Sequence, residues 1–271
     1  MNLTSPSQVK AWCIEHEFHP NKVLGQNFLI DQNALKAIVD AGLENVRESP
    51  HVLEIGPGLG VLTEEMLKRG CRVTAIEKDP VLAARLAESL GNPEGLTVVS
   101  ADALVWLAQS DNLTIGQPTD SFSCMISNLP YQAGTRILLE LVKARQLKSM
   151  TVLVQTEVAE RLAAGPGSKT RGLAGVWAQL DYDVKIVRKV AASCFWPRPE
   201  IGSSVVRLDR HDRNVGLSDE ERDLFHRLTK QAFEHRRKQL GSIFKDLIQS
   251  TARAEELGNG DWIQLVKGLI G

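Results

Sequence analysis

Apolar residues along this chain recur in short runs separated by stretches of helical periodicity. His51–Ile55, Arg72–Ile76, Leu96–Ser100, Ser121–Ile126 and Met150–Val154 read as five strands. Between them, Asp31 caps a helix running to about Gly42, with Leu35, Ile38 and Val39 on one face. Leu62–Arg69 reads as a helix stopped by Gly70, Pro80 opens one reaching about Leu90, and Thr135–Ala144 forms another. The first thirty residues form a lead-in, a polar helix and then a loop ending in Gly25–Leu29. Strands that alternate with helices pair in parallel through right-handed crossovers, so the pattern predicts an α/β fold with a doubly wound, Rossmann-like sheet.

Downstream the pattern changes. Tyr182–Val190 and Ile201–Leu208 read as further strands around a Pro-rich loop, and polar Asp209–Leu217 as a linker. From Ser218 onward the periodicity is wholly helical, carried by Leu224, Leu228, Phe233, Leu240, Ile243, Phe244 and Leu247, then by Trp262–Leu269. The expected division is a main domain of residues 1–209 and a small helical C-terminal domain of residues 210–271.

The 271 residues suffice for one α/β domain plus a small second unit. A charged share of 24% is ordinary for a globular protein. No run approaches the length of a membrane helix, and Met1–Lys10 lacks the apolar core of a signal peptide, so a cytoplasmic protein with no membrane partner is expected. The four cysteines, Cys13, Cys71, Cys124 and Cys194, make no CxxC pair, which argues against a disulfide frame or a zinc ribbon. Cys13, His16 and His19 lie close together but lack the separated ligand pairs of a tetrahedral site, so no metal is expected. A net charge of −1 weighs mildly against nucleic acid, although local patches can still bind phosphate. Nothing suggests an obligate interface, and a monomer is expected.

Two strand ends carry the candidate chemistry. The first strand runs into Glu54-Ile55-Gly56-Pro57-Gly58-Leu59-Gly60. Glycines there let the backbone turn sharply and approach a ligand. The spacing is GxGxG rather than the GxGxxG that brings a helix N-terminus onto a pyrophosphate, which suits a nucleoside without phosphate. Glu77, at the end of the second strand, is placed to accept hydrogen bonds from ribose hydroxyls. Asp102, after the third strand, is placed to meet an adenine edge, or simply to cap the helix that follows.

The fourth strand leads into Asn128-Leu129-Pro130-Tyr131. An adenine N6 amine is a poor nucleophile because its lone pair is delocalised into the ring. The Asn128 side-chain oxygen and the Leu129 carbonyl can accept hydrogen bonds from its two N–H groups. Pro130 stiffens the turn, and Tyr131 offers a flat face for a base.

With these residues in view, the chain resembles the ribosomal RNA adenine N6,N6-dimethyltransferase family of the small subunit over roughly residues 20–210. The resemblance is carried by Gly25–Leu29, Glu54–Gly60, Asn128–Tyr131, Gln155–Leu162, Gly165–Lys169, Phe195-Trp196-Pro197-Arg198-Pro199 and Phe233–Lys238. It implies that Asn27, Leu29, Gly56, Glu77, Asp102 and Asn128 contact S-adenosylmethionine, with Gly58 in the same turn. It implies too that Asn128–Tyr131 hold the target amine and that Phe195 faces Tyr131 across a flipped adenine. The substrate implied is a pair of adjacent adenosines in the 3′-terminal hairpin of small-subunit rRNA, dimethylated late in assembly of the 30S subunit. Arg236, Arg237 and Lys238, with Arg161, Lys169 and Arg171, are candidate phosphate contacts. The competing readings are a methyltransferase for one large-subunit adenine, a catalytically idle assembly factor, and a small-molecule or DNA amine methyltransferase.

Overall fold

The computed structural model describes residues 1–21, 24–46, 48–109, 122–211, 216–245 and 247–270. The chain forms two compact units, residues 1–159 with 185–209, and residues 160–184 with 210–271. One boundary between them falls between Asp209 and Arg210, and residues 160–184 group with the tail. The reason is packing. The Trp177 indole N–H donates to Thr229 Oγ1 at 2.9 Å, Arg222 pairs with Asp181 at 2.8 Å, and Asn259 Nδ2 donates to the Val176 carbonyl at 3.0 Å.

In the first unit, α1 (Pro6–Glu15), β1 (Phe28–Leu29) and α2 (Gln32–Leu43) precede the sheet. There follow β2 (His51–Ile55), α3 (Val61–Lys68), β3 (Arg72–Glu77), α4 (Pro80–Ser89), β4 (Leu96–Ser100), α5 (Ala103–Leu107), β5 (Cys124–Asn128), α6 (Gly134–Ala144) and β6 (Ser149–Gln155). Asp31 caps α2 by accepting from the Ala34 N–H at 2.7 Å, as its position in the sequence predicts. The fourth strand starts and ends later than the expected Ser121–Ile126, so Asn128 is its last residue; Ser121 and part of the expected Asp209–Leu217 linker lie outside the described residues.

Among the described residues the main sheet has strand order β4-β3-β2-β5-β6-β9-β7, where β7 is Tyr182–Val190 and β9 is Ser203–Arg210. β2 to β6 pair in parallel, and β9 runs antiparallel to β6 from Gln155↔Ser203 to Ser149↔Asp209. The chain works outward from β2 on one side and then returns to its other side with β5. Between them the ladder covers Val52↔Cys124 and Leu53↔Met125; beyond it the Ile55 N–H donates to Ser127 Oγ at 2.9 Å. A crevice opens at this reversal, where doubly wound sheets bind their ligands.

The sequence did not reveal a second sheet. β1 pairs antiparallel with β8 (Phe195–Trp196), Phe28 opposite Trp196 and Leu29 opposite Phe195. Two-residue strands leave no periodic signal, and their pairing spans most of the domain's sequence. The Phe28 and Trp196 rings stack at 6.5 Å between centroids.

The second unit is built on α8 (Leu173–Asp181), α9 (Asp219–Glu234), α10 (Leu240–Phe244) and α11 (Asn259–Ile270), with α7 (Thr156–Ala163) entering it at Glu160. Ser218 and Glu221 form a capping box at the start of α9. Phe225, Leu228, Trp262 and Val266 are buried between these helices. No helix among the described residues is long and apolar enough to cross a membrane.

Candidate active site

The end of β2 cannot continue as a strand. Gly56, Gly58 and Gly60 all have positive φ, at 70°, 59° and 90°, a region that favours glycine. They serve different ends. A Cβ at Gly60 would stand 2.6 Å from Leu86 Cδ1, so that glycine allows α3 to pack on α4. Gly56 and Gly58 line a cavity of about 320 Å³, within the range of small-molecule sites. A Cβ on Gly58 would approach the Phe28 ring to 3.1 Å.

Successive strand ends furnish the other walls. Glu77 closes β3 and is 6% exposed; its Oε2 accepts from the Gly58 N–H at 3.1 Å and its Oε1 from the Asp79 N–H at 2.8 Å. Burial pushes its carboxyl pKa up, while those N–H groups and the Lys78 N–H pull the other way and the nearby Asp79 carboxylate adds to the rise. The carboxylate keeps acceptor capacity for a ligand hydroxyl. Asp102 is both helix cap and wall: it accepts from the Leu104 N–H at 2.8 Å, pairs with Lys78 Nζ at 2.8 Å, and is held below the usual carboxylate range by Lys78 first. Asn27 and Leu29 arrive from the N-terminal loop, and Asn128, Leu129, Pro130 and Tyr131 from the end of β5. The structure thus gathers around one cavity every residue nominated for cofactor or amine binding except Phe195.

Phe195 is 2% exposed, lies across the β1–β8 ladder from Leu29, and is not part of the cavity wall. Arg171 also departs from expectation. It is 1% exposed, its guanidinium donating to the Ala164 carbonyl at 2.8 Å, Gln179 Oε1 at 3.2 Å and Asn259 Oδ1 at 3.3 Å, so it is engaged inside the protein and does not present a surface to phosphate. Arg237, Lys238, Arg161 and Lys169 are exposed. Near the N-terminus the His16 ring stacks on Trp12, and among the described residues no cluster of three His, Cys, Asp or Glu side chains is arranged to hold a metal.

Glu54, Gln26 and Leu3 are among the wall residues that the sequence did not mark as site residues. Glu54 is 1% exposed inside β2 and accepts from Thr63 Oγ1 at 2.6 Å; burial pushes its carboxyl up to about 8. The signal was present, since a carboxylate within an apolar strand must be buried. Gln26 lay within the Gly25–Leu29 run without a role of its own, and Leu3 left no signal, because only the folding of the lead-in over the crevice brings them there.

At the end of β5, Asn128 Nδ2 donates to the Asn27 carbonyl at 3.1 Å. Its Oδ1 and the Leu129 carbonyl accept no hydrogen bond among the described residues. The Leu129 N–H is tied to the Leu153 carbonyl at 3.1 Å, and Tyr131 Oη lies 2.6 Å from Ser203 Oγ, so both sides of the turn are anchored. The cavity suits S-adenosylmethionine. Its glycine turn leaves room a Cβ would fill, and its wall carries the carboxylates of Glu77 and Asp102, with Glu54 holding its proton up to about 8, against one lining cation, Lys78, already paired to Asp102. Such walls favour a hydroxyl-rich, positively charged nucleoside over a phosphorylated one.

Comparison with known proteins agrees with this geometry. The ribosomal RNA adenine dimethylase family model matches residues 17–259. A ribosomal RNA small subunit methyltransferase A from Alkaliphilus oremlandii is 39% identical over 239 residues, 88% of this chain and 82% of the relative. Among solved structures, a dimethyladenosine transferase from Plasmodium falciparum superposes with a TM-score of 0.71 at 23% identity, covering 88% of this chain and 95% of that one. The 23S rRNA methyltransferase ErmE reaches 0.66 at 24% identity, covering 90% of this chain and 100% of that one. These two likenesses establish a shared fold. The chain belongs to the ribosomal RNA adenine dimethylase family and is an S-adenosylmethionine-dependent rRNA adenine methyltransferase.

Proposed function

We propose that the protein dimethylates N6 of two adjacent adenosines in the 3′-terminal hairpin of small-subunit (16S) rRNA, acting as a cytoplasmic monomer on the immature 30S subunit. The observation that carries the reading is the pair of open acceptors, Asn128 Oδ1 and the Leu129 carbonyl, on the wall of the cofactor cavity. Bound S-adenosylmethionine supplies an electrophilic sulfonium methyl. The protein's task is to hold an amine against it. Asn128 Oδ1 and the Leu129 carbonyl each accept one N–H, which draws the lone pair out of the ring and aims it, so that two reactants behave as one. Tyr131 stacks on the base once it leaves its helix. Gly56, Gly58, Glu77 and Asp102 hold the nucleoside of the cofactor, and Asn27 and Leu29 close over it. Phe195, buried as the ladder partner of Leu29, supports Leu29 from behind. Arg237 and Lys238 supply phosphate contacts from the second unit.

The test is direct. Labelled S-adenosylmethionine is incubated with the protein and immature small subunits, large-subunit RNA or DNA, and the modified base is mapped. Dimethyladenosine at adjacent positions of small-subunit rRNA is expected. Label confined to large-subunit RNA or DNA overturns the choice of substrate, and a monomethylated product overturns the number of transfers.

A further inference from the structure

An amide side chain can point two ways round. With Asn128 Nδ2 on the Asn27 carbonyl, Oδ1 is left to accept. Turned over, the amide would set oxygen against oxygen at Asn27 and offer a donor to an amine that is itself a donor. The Asn27 carbonyl therefore dictates which way Asn128 faces, and the question becomes what holds that carbonyl in a loop with so little regular structure.

The answer is Gln26. Its Oε1 accepts from the Asn21 N–H at 2.7 Å and its Nε2 donates to Asp79 Oδ2 at 2.9 Å. Asp79 is itself fixed. It is 9% exposed, its other oxygen caps α4 by accepting from the Val81 and Leu82 N–H groups at 3.0 and 3.3 Å, and its own N–H donates to Glu77 Oε1. The Asn27 side chain stiffens the same turn by donating to the Gly25 carbonyl at 3.1 Å. A continuous polar path thus runs from the Gly58 N–H through Glu77, Asp79 and Gln26 to the loop that sets Asn128. Because both ends of its carboxamide are engaged within the protein, Gln26 is fitted to hold the loop rather than to bind a ligand.

We infer that Gln26 is a positioning residue for methyl transfer: clamped between Asp79 and the Asn21 N–H, it fixes the Asn27 carbonyl that turns Asn128 Oδ1 toward the target amine. The inference rests on the role proposed above for Asn128.

The clamp can be reversed chemically. Gln26→Glu sets two carboxylates face to face, and Asp79→Asn can set two amide donors face to face. The double variant restores one hydrogen bond of opposite sense, and the carboxamide introduced by Asp79→Asn keeps an oxygen able to cap α4. kcat and KM for rRNA at saturating S-adenosylmethionine are measured with Tm for the full-length protein and the three variants. Each single variant is expected to lose about tenfold to a hundredfold in kcat, with KM and Tm little changed, because displacing a reacting group by an ångström costs on that scale. The double variant is expected to return to within about threefold of the parent, since the two sites are directly coupled. A normal kcat in Gln26→Glu, a loss found wholly in KM or Tm, or a double variant no better than the singles overturns the inference. Asn128→Ala is run alongside: if it turns over normally, the role of Asn128 itself fails, and if it is inactive while Gln26→Glu is normal, only the positioning fails.

Discussion

Asn27 and Asn128 meet across 101 positions of sequence, the Asn128 amide nitrogen donating to the Asn27 carbonyl at 3.1 Å. One bond joins the N-terminal lead-in to the end of β5, and it leaves the Asn128 oxygen open on the cavity side.

Asn128→Ala is expected to slow methyl transfer severely while retaining measurable cofactor binding. Removing one preorganised polar contact to the reacting group typically costs about 10²–10³ in kcat. Single-turnover transfer of labelled methyl, with cofactor affinity measured by calorimetry, separates the two. Unchanged turnover rules out the role given to Asn128.

Tyr131 carries a ring and a hydroxyl with separate duties. Tyr131→Phe keeps the stacking face and loses the 2.6 Å contact with Ser203 Oγ, so the expected effect on kcat/KM is small. Tyr131→Ala removes the face and is expected to cost about 1–3 kcal/mol in kcat/KM for RNA. Equal losses in both variants would show that the hydroxyl anchor, not the ring, matters.

Glu54 makes stability depend on pH. Burial raises its carboxyl pKa to about 8, with the Thr63 hydroxyl opposing the rise and Glu77 adding to it. An unfolded chain loses this proton near the ordinary value of 4.5, whereas the native protein keeps it until about 8. Through that window the unfolded state binds fewer protons, so stability falls as pH rises and this contribution levels off above about 8. Glu54→Gln copies the neutral carboxyl and is expected to flatten the slope. Urea unfolding of both proteins across the window reads it, and parallel slopes exclude Glu54 as its source.

Gly58→Ala tests the turn. At φ 59° a side chain costs about 1–2 kcal/mol, and its Cβ meets the Phe28 ring at 3.1 Å. A weaker cofactor affinity and a Tm several degrees lower are expected, by calorimetry and thermal melting. An unaltered affinity would place the ligand away from this turn.

The same residues show where sequence reasoning reaches its limit. β2 and β4 fall where apolar runs predict them, and α2 begins at its Asp31 cap, because periodicity and capping are local and act within one element. The gathering of the strand ends was legible for a related reason. In a doubly wound sheet the carboxyl ends of neighbouring strands share one edge, so Gly56, Glu77, Asp102 and Asn128 had to come together once the alternation was read.

Local pattern was therefore enough to read the α/β class, the glycine turn after β2 and the Asn128–Tyr131 turn after β5. Tertiary structure alone decided the β1–β8 pairing, the burial of Phe195 and Arg171, the raised pKa of Glu54, and the Gln26–Asp79 clamp. Each of these depends on which distant atoms surround a side chain. Desolvation and hydrogen-bond partnership are set by closed three-dimensional neighbourhoods, and no pattern of nearby residues records them.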